Sequence, residues 1–275
     1  MINVMECESC VFAWQYPFGR DEQQSLQFFE TAYADEGQTI SDYFSPDLKR
    51  EIAELEHEFL AGLPVGHETL LDIGAGTGTF AEVAAEHAWN VTAVDPALDI
   101  ERIRSNPMIK AVKGTTEQIA RGELFDVVTM WDVIEHTTNP LDQIADARQY
   151  LKEGGWLVIE TGNYKSASRV MGGTSHWMYQ LDHRWYFSPE SLEQLLREAG
   201  FSEFIFSERV LRPGWHGRVD YAGPTPASLL KSAVKDPLHL RMHLSRYSWL
   251  KRAAAWQMPG IGIFALAART SGAAS

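Results

Sequence analysis

The residues best placed to do chemistry begin at Asp72. Its carboxylate precedes Gly74, Ala75, Gly76, Thr77 and Gly78, a turn without bulk that follows apolar Leu70, Leu71 and Ile73 and leads into a helix over 80–87. Glycine lets backbone approach a ligand closely or take positive φ, and the N–H groups at a helix start attract negative charge, so a nucleotide-like ligand is expected. The dinucleotide pattern Gly-x-Gly-x-x-Gly would need its third glycine at 79, where Thr79 stands. Asp72, at the strand's end, would repel a pyrophosphate but could receive an ammonium group. The expected cofactor therefore carries an amine. A second carboxylate, Asp95, ends the apolar strand 90–94 about twenty residues past the glycines and is followed by Pro96, a position suited to accept both ribose hydroxyls.

A further set of groups lies in residues 125–136, whose first half reads as a central strand and whose second half, from Trp131 to His136, falls at its carboxyl edge. His136 could deprotonate a substrate hydroxyl, since imidazole titrates near neutral pH. The alternative is that it hydrogen-bonds backbone and only shapes a pocket. Asp132, Glu135 and His136 stand at i, i+3 and i+4, which would bring three ligand-type side chains together if that turn is helical. Residues 164–186 then hold His176, Trp177, Tyr179, His183, Trp185 and Tyr186. Aromatics and histidines this dense, just past the ligand edge of a sheet, point to an acceptor pocket with His183 as second candidate base. Lid packing without substrate contact is the other use for each aromatic.

The run from Asp72 to Gly78, acid-x-Gly-x-Gly-x-Gly after an apolar strand, resembles the signature loop of class I S-adenosylmethionine-dependent methyltransferases. Phe125-Asp126 and Val128, followed by Asp132-Val133-Ile134-Glu135-His136, resemble the fourth motif of their small-molecule members. Leu151-Lys152, Gly154-Gly155, Leu157 and Ile159 before Thr161-Gly162-Asn163 fit the same family. The resemblance implies an α/β fold, a Rossmann-like seven-stranded sheet with helices on both faces, preceded by an N-terminal helical cap and carrying a helical insertion before the last strand. It implies S-adenosyl-L-methionine as donor, S-adenosyl-L-homocysteine as product, and a small-molecule acceptor. O-methylation leads because His136 and His183 could serve a hydroxyl. N- or C-methylation of a sugar or natural-product intermediate, or a catalytically silent partner that binds the cofactor, are the alternatives.

Carried onto these positions, the resemblance gives Asp72, Gly74, Ala75, Gly76 and Gly78 to the methionine end, Asp95 and Pro96 to the ribose, and Trp131 to packing against the cofactor. Relatives usually have Asp and a small residue where the adenine amine binds. Here Thr115, Thr116 and Glu117 are offered instead. Tyr33 and Tyr43 are candidates to touch the methionine part from the cap. Ubiquinone-pathway O-methyltransferases, which 132–136 also resembles, can hold a divalent ion in a similar acidic-His cluster, while many relatives with the same letters hold none; a metal-free site is expected.

The elements that must position these groups alternate strand and helix from 63 to 207, among them an amphipathic helix over 141–151 that Lys152-Glu153-Gly154-Gly155 stops, with a last strand over 261–268. Residues 1–62 read as cap and helices, 63–207 plus 259–270 as the core, with 164–186 an aromatic insertion. Residues 208–258 read as a basic insertion whose two candidate uses are substrate cover and a homodimer contact. The net charge of -13 across 275 residues argues against a nucleic-acid partner. The basic run between Arg209 and Arg252 reads as a solvated helix face, or as a patch that meets an acidic substrate, a carrier protein bearing the acceptor or a membrane surface. No apolar run reaches the roughly 18 residues of a membrane span, and the start Met-Ile-Asn-Val-Met-Glu has no signal-peptide pattern, so a cytoplasmic protein is expected. Cys7 and Cys10 form one Cys-x-x-Cys pair, two ligands short of a closed zinc site, and reduced thiols are expected.

Overall fold

The apolar runs around residues 70, 92, 128 and 158 become the centre of a seven-stranded sheet because each is flanked by turn residues and followed by a helix that covers one face. The structure is a computed structural model that describes residues 3–8, 12–16, 46–66, 68–98, 100–103, 105–166, 169, 176, 178, 179, 182–210 and 262–270. In chain order the elements are β1 (Asn3–Glu6), β2 (Ala13–Tyr16), α1 (Pro46–Ala61), β3 (Thr69–Ile73), α2 (Thr79–Glu86), β4 (Asn90–Asp95), α3 (Ile100–Ile103), β5 (Ile109–Lys113), β6 (Phe125–Trp131), α4 (Pro140–Gln149), β7 (Leu151–Gly162), β8 (Trp185–Tyr186), α5 (Pro189–Glu198), β9 (Glu203–Val210) and β10 (Gly262–Arg269). Short 3₁₀ turns lie at Thr116–Gln118 and Ile134–His136.

The sheet order is β5-β4-β3-β6-β7-β10-β9. β3 pairs in parallel with both β4 and β6, and β10 runs antiparallel between β7 and β9. The order therefore reverses beside β3, and open α/β sheets bind their ligands at such a point, outside the carboxyl ends of the strands. Successive residues feed opposite faces, as period-2 geometry requires. Leu70, Val127 and Val158 join Leu60, Phe80, Val83 and Trp89 in one core, under α1 and α2. Leu71, Val128 and Leu157 join Ile144, Leu192, Leu196 and Phe264 in the other, under α4 and α5. Helices thus cover both faces, as expected from the sequence. α5 begins as its residues suggest: the Ser188 hydroxyl accepts the Ser191 N–H at 3.2 Å, and Pro189 occupies the first turn.

Two local expectations change. Residues 152–155, expected to stop a helix running over 141–151, lie instead inside the long strand β7, and α4 ends at Gln149. Phe125 pairs with Leu151, yet Val127 already pairs with Trp156, so Lys152–Gly155 bulges out of the ladder. The bulge carries the Lys152 ammonium to the Asp126 carboxylate at 3.0 Å, and that carboxylate also accepts the Thr69 N–H and hydroxyl, tying β3, β6 and β7 together at their amino ends. The second change is at the N-terminus, where β1 and β2 form a hairpin in place of the first part of the expected helical cap. β8 adds to it, giving a separate three-stranded sheet β1-β2-β8. Residues 17–45 of the N-terminal segment, Cys10 and residues 211–258 of the basic insertion lie outside the described residues. No helix among the described residues is long and apolar enough to cross a membrane.

Gly155 is the tightest backbone approach in this framework. A Cβ there would meet the carbonyl oxygens of Asp126, Lys152 and Phe125 at 2.9, 3.1 and 3.2 Å. Backbone cannot give way as a side chain can, so Gly155→Ala should cost about 1–3 kcal/mol of stability, read as a lowered midpoint in denaturant unfolding. An unchanged midpoint would mean the bulge is slack.

Candidate active site

The glycine turn is held from the strand beside it. The N–H groups of Gly74 and Ala75 donate to the Val94 carbonyl at 2.8 and 3.2 Å, and Gly78 closes the turn onto the Ala75 carbonyl. The Asp95 carboxylate accepts the Gly76 N–H at 3.0 Å and the Ala97 N–H at 2.7 Å. The sugar-binding candidate and the glycine turn are therefore one hydrogen-bonded unit. Gly74 has φ +76°, and a Cβ there would run into the Val133 side chain, whereas a Cβ on Gly76 would meet open space. The turn needs glycine at 74 to pack against the next loop. At Gly76 bare backbone is left facing outward, as a close-lying ligand requires.

Asp72 lies beneath this turn with 1% of its surface exposed. One carboxylate oxygen accepts the Thr129 hydroxyl at 2.9 Å, and the other has no hydrogen-bond partner. Burial, with the charge of Asp95 adding to it, pushes the carboxyl up to about 7. An orphaned buried carboxylate oxygen at the carboxyl edge of the sheet is what an incoming ammonium group would satisfy. The residues present thus fit the amine-bearing nucleoside expected from the sequence.

The next strand supplies the other half of the site. β6 ends at Trp131, whose ring meets Phe80 edge-on at 5.0 Å. Asp132 then takes φ +53° and starts the turn that carries Glu135 and His136. Glu135 is buried with one oxygen unpartnered, and burial followed by the Asp132 charge holds its carboxyl well above the usual range. His136 Nδ1 lies 3.0 Å from the Asp182 carbonyl and 3.8 Å from its carboxylate. A carbonyl can only accept, so Nδ1 carries the proton and Nε2 presents its lone pair. Burial lowers the His136 pKa against the pull of Asp182, which keeps the ring neutral near pH 7. The His183 ring stands nearly perpendicular to it at 4.8 Å, its own pKa pushed well down by burial and by His136. The Arg184 N–H donates to the Glu135 carbonyl at 2.8 Å and pins the two segments together.

The three residues expected to share one helical face do not do so. The turn is 3₁₀, and Asp132 is exposed in left-handed backbone ahead of it. His183 takes its place: ligand-type atoms of Glu135, His136 and His183 lie within 4.8 Å of one another, the only such group among the described residues. Thr115 and Thr116, candidates for the adenine, spend their hydroxyls locally, on Gln118 at 3.1 Å and Asp146 at 2.6 Å, which leaves Glu117 exposed beside them. The Trp185 indole N–H donates to the Thr137 carbonyl, and its ring packs on Phe12, so it anchors the segment that carries His183. His176 is buried, accepts the Met178 N–H at 3.4 Å, and is pushed down to about 4 by burial and Arg169. Tyr179 stands edge-on to Tyr186. Tyr33, Tyr43 and Trp177 lie outside the described residues. Sequence reasoning missed Thr129 and Asp182, which support Asp72 and His136. Only the adjacency of Asp182 to His183 hinted at either.

The state of Asp72 gives a pH test. Below its ordinary value of 3.8 the carboxyl is protonated in folded and unfolded chains alike and contributes nothing. Above it the unfolded chain gains by ionising while the buried group stays neutral, so stability falls until about pH 7 and then levels off. Asp72→Asn keeps an oxygen for Thr129 and removes the titration. Without added ligand, its unfolding midpoint should match the wild type near pH 4 and exceed it at pH 8. A difference independent of pH would show that Asp72 ionises normally.

Comparison with known proteins shows the family. A family model described as a methyltransferase domain matches residues 43–203. The chain is 34% identical over 161 residues to a ubiquinone biosynthesis O-methyltransferase of Roseobacter denitrificans, covering 54% of this chain and 65% of that protein. It is 33% identical over 175 residues to the same enzyme of Cereibacter sphaeroides, covering 58% and 71%. It thus spans just under two thirds of the first relative's length. Among solved structures, the Burkholderia thailandensis 1,6-didemethyltoxoflavin-N1-methyltransferase with bound 1,6-didemethyltoxoflavin and S-adenosylhomocysteine superposes with a TM-score of 0.55 at 15% identity, over 98% of each chain. That likeness is one of fold. With the glycine turn, its two carboxylates and the matched domain in place, the chain belongs to the class I S-adenosylmethionine-dependent methyltransferases.

Proposed function

We propose that this enzyme methylates a hydroxyl group of a small-molecule acceptor in a metal-free site, with His136 as the proton acceptor. Bound in the cleft, S-adenosylmethionine supplies a methyl group on a positively charged sulfur that departs as a neutral thioether. No acid is needed for the leaving group. The protein's own tasks are to orient the donor, exclude water and take the acceptor's proton.

The observation that carries the reading is the His136–Asp182 contact. Because the Asp182 carbonyl fixes the proton on Nδ1, Nε2 is the atom that can accept one from a hydroxyl. The nearby Asp182 carboxylate favours the imidazolium that results, while burial keeps the ring neutral beforehand. Asp72 would hold the donor's amine and Asp95 its ribose, each from the end of its own strand. Support for oxygen as the methylated atom comes from this base and from two curated relatives that are O-methyltransferases by name.

His136→Gln should slow methyl transfer by about 10²-fold or more while leaving the dissociation constant for S-adenosylmethionine unchanged. The acceptor would first be found by labelled-methyl transfer across phenols, sugars and carrier-bound acyl chains. Turnover should survive exhaustive treatment with a chelator. Normal turnover in the variant would return His136 to a structural role, and loss of activity on chelation, restored by a divalent ion, would overturn the metal-free reading.

A further inference from the structure

We propose that Tyr186 determines acceptor specificity, its hydroxyl donating a hydrogen bond to a carbonyl oxygen borne by a planar ring. The proposal rests on the methyl-transfer reading above and adds a residue and a substrate class to it.

Tyr186 is 2% exposed, and its hydroxyl has no hydrogen-bond partner. Such a group costs folding free energy unless something satisfies it, so an orphan of this kind asks for an explanation. Asp72 and Glu135, at the donor and acceptor ends of the same site, each also keep a buried oxygen without a hydrogen-bond partner. Met178, which packs on Tyr186, is hydrogen-bonded through its backbone to His183, and the Arg184 N–H, two residues before Tyr186, donates to the Glu135 carbonyl at 2.8 Å, so Tyr186 is held beside the segments that carry Glu135, His136 and His183.

The surroundings define the ligand. Tyr186 packs with Ala13, Tyr164 and Met178, the Tyr164 ring tilted at 5.7 Å and the Tyr179 ring edge-on at 5.5 Å. Aromatic walls of this kind favour a flat ring. Burial, with Tyr179 and Tyr164 adding to it, raises the Tyr186 pKa, so the hydroxyl stays protonated and acts as a donor. A donor needs an oxygen that accepts. Arg169 is committed to Tyr164, over its ring at 4.0 Å and onto its backbone carbonyl, while Asp182 contributes negative charge at Tyr186. A neutral carbonyl suits this better than a carboxylate.

The test uses a matched pair of phenols, 4-hydroxyacetophenone and 4-ethylphenol, which differ at the ring carbonyl. Their dissociation constants would be measured on the full chain saturated with S-adenosylhomocysteine, so that no turnover is needed. The wild type should prefer the ketone. Tyr186→Phe should weaken the ketone about tenfold, leave 4-ethylphenol unchanged, and unfold at the same denaturant concentration or a higher one, because an unpaired buried hydroxyl has been removed. No preference in the wild type, no binding of the ketone at millimolar concentration, equal affinities in the variant, or a clearly less stable variant would each overturn the proposal. Failure of the His136 assignment would appear as turnover in His136→Gln and would leave this binding contrast intact.

Discussion

Two carboxylates buried on neighbouring strands, one of them with no cation beside it among the described residues, are the constraint to which the rest of the molecule answers. Asp72 and Asp95 end β3 and β4, where the sheet order reverses. Asp95 is partly satisfied by the backbone of the glycine turn and of Ala97, but Asp72 keeps an unpartnered oxygen and is driven towards neutrality. Such an arrangement weakens the fold taken alone. It makes sense as a site where a ligand's positive charge and hydroxyls supply the missing partners, so that binding recovers free energy that folding gives up.

The same economy runs through the acceptor side. Glu135 and Tyr186 leave polar atoms unsatisfied in the interior, while the rest of the core is filled by Leu, Ile, Val and aromatic side chains sorted to the two faces of the sheet. The halves touch where the Val133 side chain lies against Gly74. Position 74 therefore serves two ends at once, the glycine turn above Asp72 and the loop that leads to His136. A larger residue there would disturb both.

The cofactor half was legible in the sequence because its physics is local. A turn needing glycine at fixed positions, an apolar run before it and a carboxylate at each strand end are all read from neighbours in the chain. The acceptor half depends on meetings between distant segments, and only part of it could be read. His136 and His183 were picked out by residue type, but their pairing, the support from Asp182 and the exclusion of Asp132 from the cluster follow from a 3₁₀ turn that spacing alone cannot distinguish from an α-helix. The hairpin of β1 and β2 was hidden because Ala13–Tyr16 is short, and its partner β8 lies far along the chain. The bulge at Lys152–Gly155 was mistaken for a helix stop because two glycines serve either purpose.

Calorimetric titration with S-adenosylhomocysteine, 5′-methylthioadenosine and NAD tests the central claim most directly, since the three share adenosine and differ in the amine and the pyrophosphate. Homocysteine-bearing nucleoside should bind most tightly, the compound lacking the amino acid more weakly, and NAD not at all, with Asp72→Asn narrowing the gap between the first two. Tight binding of NAD, or equal affinity for the two thioethers, would contradict a cleft built around an ammonium group at Asp72.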